Sequence, residues 1–121
     1  MNKKIMIIDD EPDTLVLVKA ILEPEFNVEV FDMSKKALDA LKKGSRPDLI
    51  LLDMRMPVIS GPDFCDMVFK DKKNSGLKII FFTASSDLDK SLAKKHNALG
   101  FIFKPFENNE LVKQIKKYLS M

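Results

Sequence analysis

Runs of three or four apolar residues recur along the chain, each closed by a polar residue or a turn signal. Leu49-Ile50-Leu51-Leu52 is the clearest, set between Gly44-Ser45-Arg46-Pro47 and Met56-Pro57 and ending in Asp53. An apolar run without alternation reads as a strand buried on both faces, as strands of parallel sheets are. A charge inside it would lack water or a partner, so Asp53 marks where the strand leaves the core. Lys4 to Ile8 reads the same way and ends in Asp9-Asp10. Leu77 to Phe82 leads to Thr83-Ala84, and Gly100 to Phe103 leads to Lys104-Pro105-Phe106. Phe26 to Phe31 differs, because Val28 and Val30 alternate with Asn27 and Glu29; this is a strand with one wetter side, near an edge.

Between the strands the period becomes helical. Glu11-Pro12 opens a helix near 12 to 22, with proline at a first-turn position that needs no donor. It is apolar on most sides, so it is expected to be largely buried, and Pro24 stops it. Ser34 can cap a second helix, with Ala37, Leu38 and Leu41 as its stripe and Gly44 as its close. Ser60-Gly61-Pro62-Asp63 starts a third helix with Phe64, Met67 and Val68 on one face, ended by Asn74-Ser75-Gly76. From Ser86 to His96 the rhythm is helical but thin, with Leu88, Leu92 and Ala93 to bury. The last helix, 107 to 119, presents Leu111, Val112, Ile115 and Leu119. Five strands alternating with five helices predict an α/β domain, a doubly wound parallel sheet covered on both faces.

Composition narrows the reading. A chain of 121 residues, expected as a single domain over 1–121 with no output domain, is long enough for one ordinary core. The net charge of +2 and lysine pairs spread along the chain predict a solvated surface and no nucleic-acid partner. The apolar stretch after Lys3-Lys4 is too short for a secretory signal, and no stretch approaches a membrane span. One cysteine, Cys65, rules out an internal disulfide, agrees with a reducing cytoplasm and is expected in or beside the core. None of the four glycines is spaced as a phosphate loop, so nucleotide and flavin binding are poorly served. His96, among Lys94, Lys95 and Asn97, is expected at the surface.

In a parallel sheet, strand ends deliver Asp9-Asp10, Asp53, Thr83 and Lys104 to one edge, where open α/β sheets gather ligands. Carboxylates sharing a cleft repel and call for a hard, oxygen-seeking ion such as Mg²⁺. Lysine adds a fixed positive charge and threonine a hydroxyl donor. Together these groups describe a site for a phosphoryl group, with one Asp as nucleophile. Each residue alone has a plainer role: Asp9 and Asp10 as helix caps, Thr83 as a strand end, Lys104 as a solvated side chain.

IIDDEP, LLDMRMPVISG, FFTA and FKPF occur in that order, and with them the chain resembles a response-regulator receiver domain over essentially its whole length. It is similar in size and layout to the single-domain chemotaxis regulators. The resemblance implies a flavodoxin-like fold with strand order 2-1-3-4-5. It implies that Asp53 accepts a phosphoryl group from a sensor histidine kinase or phosphotransfer domain. Asp9, Asp10, Asp53 and the backbone carbonyl of Arg55 would hold Mg²⁺. Thr83 and Lys104 would receive the phosphoryl oxygens, and Phe101 matches an aromatic switch position. The Lys104-Pro105 bond is cis in much of the family.

Helix 87–96, strand 100–103 and helix 107–119 would meet a downstream protein, in a cytoplasmic monomer or weak phosphorylation-dependent dimer. Such a module is not an enzyme, although self-catalysed phosphotransfer and slow autodephosphorylation are expected of it. Asn97-Ala98-Leu99-Gly100 lacks the acids that many members carry there, and Arg55 and Ser85 occupy variable positions that affect phosphoryl lifetime. Two other readings are weaker. A degenerate receiver acting as a phosphorylation-independent interaction module conflicts with the complete residue set. An aspartate-nucleophile phosphatase would carry a second Asp where Arg55 stands.

Overall fold

The computed structural model describes residues 2–84 and 90–121. Its elements are β1 (Lys4–Ile8), α1 (Pro12–Leu22), β2 (Asn27–Phe31), α2 (Ser34–Lys42), β3 (Leu49–Asp53), α3 (Gly61–Phe69), β4 (Ile79–Thr83), α4 (Lys90–Lys95), β5 (Gly100–Phe103) and α5 (Asn108–Leu119). The five strands are parallel in the order β2-β1-β3-β4-β5. Three of the unalternated runs are the interior strands β1, β3 and β4, with every residue of β3 and β4 buried, while the short fourth run is β5, at one edge of the sheet. The alternating run is β2, at the sheet edge, where Glu29 pairs with Lys4 at 3.3 Å.

Strand alternation divides the apolar side chains between two cores. Met6, Ile8, Ile50, Leu52, Phe81 and Phe101 face α2, α3 and α4. Ile5, Ile7, Leu49, Leu51, Phe82 and Ile102 face α1 and α5. Cys65 is fully buried in the first core, and burial pushes its thiol up to about 12 with help from the Asp66 charge, so it is inert.

Several local expectations are corrected. The helix α1 is not largely buried: Leu15, Val18 and Leu22 pack inward, but Val16 is 71% and Leu17 52% exposed, because α1 lies on the outside of one sheet face. Ser34 does not cap α2; Met33 holds that position without a side-chain bond, and Ser34 is buried in the first turn. Met67 faces solvent and Cys65 takes its place inward, beside Phe64 and Val68. The helix α3 stops at Phe69 and the chain reaches Asn74 through a short 3-10 turn, Lys72–Asn74. Strand β4 begins at Ile79 and includes Thr83. His96 is not a free surface residue: its Nδ1 lies 2.8 Å from Asp66 Oδ1, joining the end of α4 to α3. Ser85 and Leu88, with the start expected for the fourth helix, lie outside the described residues.

Candidate phosphoryl and metal site

Register brings the site together. Ile8 pairs with Leu52, so Asp9 leaves β1 beside Asp53 at the end of β3. Asp53 pairs with Phe82, one residue before Thr83, and Thr83 pairs with Phe103, one residue before Lys104. The Lys104 amide donates to the Thr83 carbonyl at 2.7 Å, extending that ladder by one step. The Lys104-Pro105 peptide is cis. The resulting cleft, about 450 Å³, is lined by Asp10, Glu11, Asp53, Arg55, Thr83, Ala84 and Lys104.

Carboxylate oxygens of Asp9, Asp10 and Asp53 lie within 4.8 Å of one another. Asp9 is fully buried and Asp10 is exposed, so the cluster opens on one side. Lys104 Nζ donates to Asp9 Oδ2 at 2.6 Å and stands 4.0 Å from Asp53 Oδ2. It also lies 4.8 Å from the centre of the Phe82 ring. Asp9 Oδ1 accepts the Glu11 amide at 3.0 Å, which fixes the turn into α1. Asp53 Oδ1 accepts the Arg55 amide at 3.1 Å.

Burial pushes the Asp53 carboxyl up to about 6, opposed by the Arg55 amide bond, raised further by Asp9, lowered by Lys104 and raised by Asp10. Desolvation thus prevails, because one lysine shared among three acids cannot restore the lost hydration. Three hard oxygen donors and a half-open cleft fit a divalent metal such as those bound by carboxylates and water. The set Asp9, Asp10, Asp53, Thr83 and Lys104 therefore converges. Phe101 stands one layer below: it is buried, its ring centre 5.6 Å from Phe81 and 5.8 Å from Phe103.

Two contributors escape sequence reasoning. Glu11 lines the cleft although it reads as a helix opener. Gly61 packs so closely that a Cβ there would stand 2.8 Å from both Asp53 O and Met54 Cα. Gly61 closes the LLDMRMPVISG stretch, and the physical signal for it in the sequence is a poor helix former placed in a first helical turn.

Comparison with known proteins adds a separate line. The family described as "Response regulator receiver domain" matches residues 5–116. The DNA-binding response regulator MtrA of Mycolicibacterium smegmatis is 33% identical over 98% of this chain and 51% of its own length. The chain thus spans about half the length of the first curated relatives it matches. Sporulation initiation phosphotransferase F of Bacillus subtilis is 33% identical over 100% of this chain and 97% of its own. Among solved structures, the chemotaxis response regulator CheY4 of Vibrio cholerae superposes with a TM-score of 0.88 at 26% identity, over 98% of this chain and 99% of that one.

Proposed function

The chain belongs to the response regulator receiver domain family, and on that premise we propose that Asp53 takes a phosphoryl group from a phosphohistidine of a sensor kinase or phosphotransfer domain. The observation that carries this reading is the convergence of Asp10, Asp53 and Lys104 on one cleft, with Asp9 buried against them. A degenerate, phosphorylation-independent module would have no need for that set.

The Arg55 amide fixes the rotation of the Asp53 carboxylate. A carboxylate oxygen attacks phosphorus, a P–O bond forms, and the P–N bond to the donor imidazole breaks with its electron pair going to nitrogen. Lys104, held 4.0 Å from Asp53, receives the phosphoryl oxygens together with the Thr83 hydroxyl. Asp9, Asp10, Asp53 and the Arg55 carbonyl would hold Mg²⁺. When bound, Mg²⁺ offsets the charge of the carboxylates and of the phosphoryl oxygens. Slow hydrolysis of the acyl phosphate returns the resting state, with Arg55 beside the cleft as an influence on its rate.

The message leaves through α4, β5 and α5. Thr83 shares its strand face with Phe81, and Phe81 touches Phe101, so a pull on Thr83 reaches the packing of Phe101. Beside Phe101 a groove of about 560 Å³ runs between α4 and α5, with Leu99 and Phe103 each 42% exposed in it. We assign this groove to a downstream protein partner. No nucleic acid or membrane contact is proposed, and no helix among the described residues is long and apolar enough to cross a membrane. The working form is a cytoplasmic monomer or a weak, phosphorylation-dependent dimer.

Intact-mass measurement with a small phosphodonor tests the chemistry. One phosphoryl group should be gained with Mg²⁺, and none with chelator or in Asp53→Ala. Undiminished labelling of Asp53→Ala would refute the assignment.

A further inference from the structure

The loop between β3 and α3 carries a backbone feature that the phosphoryl chemistry leaves unexplained. Val58 has φ +69°, and the Ile59 amide donates to the Pro57 carbonyl at 2.8 Å. This is a γ-turn with a left-handed central residue, a rare and strained form. A β-branched side chain makes it costlier still. Val58 is 94% exposed, so none of the strain is offset by burying the side chain. Strain of this kind persists only where the surroundings over-determine it, and it is met most often beside functional sites.

Three attachments hold the loop in that shape. At its neck the Gly61 amide donates to the Met54 carbonyl at 3.0 Å, with the close backbone approach that glycine allows. In its middle Met56 is buried in the core below. At its far side the Ser34 hydroxyl, from the first turn of α2, donates to the Ile59 carbonyl at 3.1 Å. Ser34 is 2% exposed and leaves the capping of its own helix undone, so its hydroxyl serves the neighbouring loop. The Arg55 peptide lies between the first two attachments, its amide on Asp53.

We propose that Ser34 is a positioning residue for the metal side of the site: its bond to Ile59 keeps the strained turn at Val58 closed and so holds the Arg55 peptide against Asp53. This rests on the reading of the acidic cluster as a divalent-metal site. With the hydroxyl gone, the turn relaxes toward an unstrained geometry. The Arg55 amide then loses its alignment on Asp53, and its carbonyl loses its place among the metal donors. Groups that orient metal ligands without touching the ion commonly change affinity by an order of magnitude or more.

The test is Mn²⁺ binding to the unphosphorylated protein, read by the loss of the free-ion electron paramagnetic resonance signal, in wild type, Ser34→Ala, Val58→Gly and the double variant. Glycine adopts positive φ without strain, so Val58→Gly removes the need for the restraint. Ser34→Ala should bind about tenfold more weakly than wild type. Val58→Gly should bind as wild type does and unfold at a higher urea concentration without metal. In the double variant most of the loss should be recovered, a coupling that a merely structural role for Ser34 would not produce.

Equal affinity of Ser34→Ala and wild type overturns the proposal, as does the same loss in both backgrounds. Should Ser34→Ala fail to fold, Val58→Gly decides alone, and a lower unfolding midpoint for it would show that Val58 carries no strain for Ser34 to hold. If wild type itself binds no Mn²⁺, the metal reading falls and this inference with it. Binding by wild type with no effect of Ser34→Ala removes this inference only.

Discussion

Asp53 holds its proton more tightly in the folded protein than in water, and burial is the main cause. A carboxyl raised from 3.8 to about 6 contributes stability that is full below the lower value and is lost as the pH rises through the higher one. A tenfold change in proton affinity corresponds to roughly 1.4 kcal/mol, so this one group costs the metal-free protein up to about 3 kcal/mol above pH ~6. Asp53→Asn removes that cost and keeps an oxygen for the Arg55 amide. The variant should therefore exceed wild type in stability by about 1–3 kcal/mol above pH ~6, with the difference closing toward pH ~4. Urea titrations across that range, with chelator present, measure it; a difference that stays constant with pH would mean that Asp53 carries no raised proton affinity. Mg²⁺ should close most of that gap, adding about 2.7 kcal/mol to wild type at a hundred times its dissociation constant and much less to the variant.

At the scale of elements, the site depends on how the end of β3 meets the start of α3. Gly61 leaves no room for a methyl group against the backbone of Asp53 and Met54. Gly61→Ala must push these two segments apart, since neither contact is with a flexible side chain. We expect a loss of about 2 kcal/mol in stability, typical of overpacking, together with slower phosphorylation at saturating Mg²⁺. Circular-dichroism melts and intact-mass time courses check the two effects, and unchanged labelling would show that the loop tolerates the shift.

This junction also separates what is legible in the sequence from what is not. Asp53 can be read from Leu49–Leu52 alone, because a buried parallel strand must release a charge at its end. Asp9, Thr83 and Lys104 follow by the same argument, and parallel register turns four strand ends into one cleft. The packing of Gly61 and the bond from Ser34 to Ile59 are not legible, because each joins residues with no periodic relation. The exposed face of α1 is hidden for a related reason: Val16 and Leu17 are apolar, but an α-helix on the outside of a sheet buries only one stripe. The anchoring of His96 is hidden because its partner, Asp66, lies 30 residues away.

Across the whole molecule, the two cores divide the labour. The core under α1 and α5 carries Ile7, Leu51 and Phe82 up to the acidic cleft. The other carries Phe81, Phe101 and Ala93 toward α4. On the proposed reading, a pull on Thr83 would reach the second core through Phe81 and its packing on Phe101, so phosphorylation should bias α4 and β5 first. Hydrogen exchange with and without a phosphoryl mimic should change at Lys90–Lys95, Gly100–Phe103 and Asn108–Leu119, while α2 stays unaltered. Changes confined to α2 would assign the output to the opposite edge of the sheet, beside β2.

The central claim is that the phosphoryl group is carried by the Asp53 carboxyl. An acyl phosphate differs from a phosphorylated hydroxyl in that hydride reduces it to an alcohol. Protein loaded by a small phosphodonor with Mg²⁺, treated with borohydride and mapped by peptide mass spectrometry, should show the side chain at position 53 converted to that of homoserine. Asp9 and Asp10 should be unchanged, and the conversion should be absent when Mg²⁺ is withheld. Conversion at position 9 or 10 with position 53 intact, or a phosphoryl group that survives reduction on a hydroxyl side chain, would contradict the account.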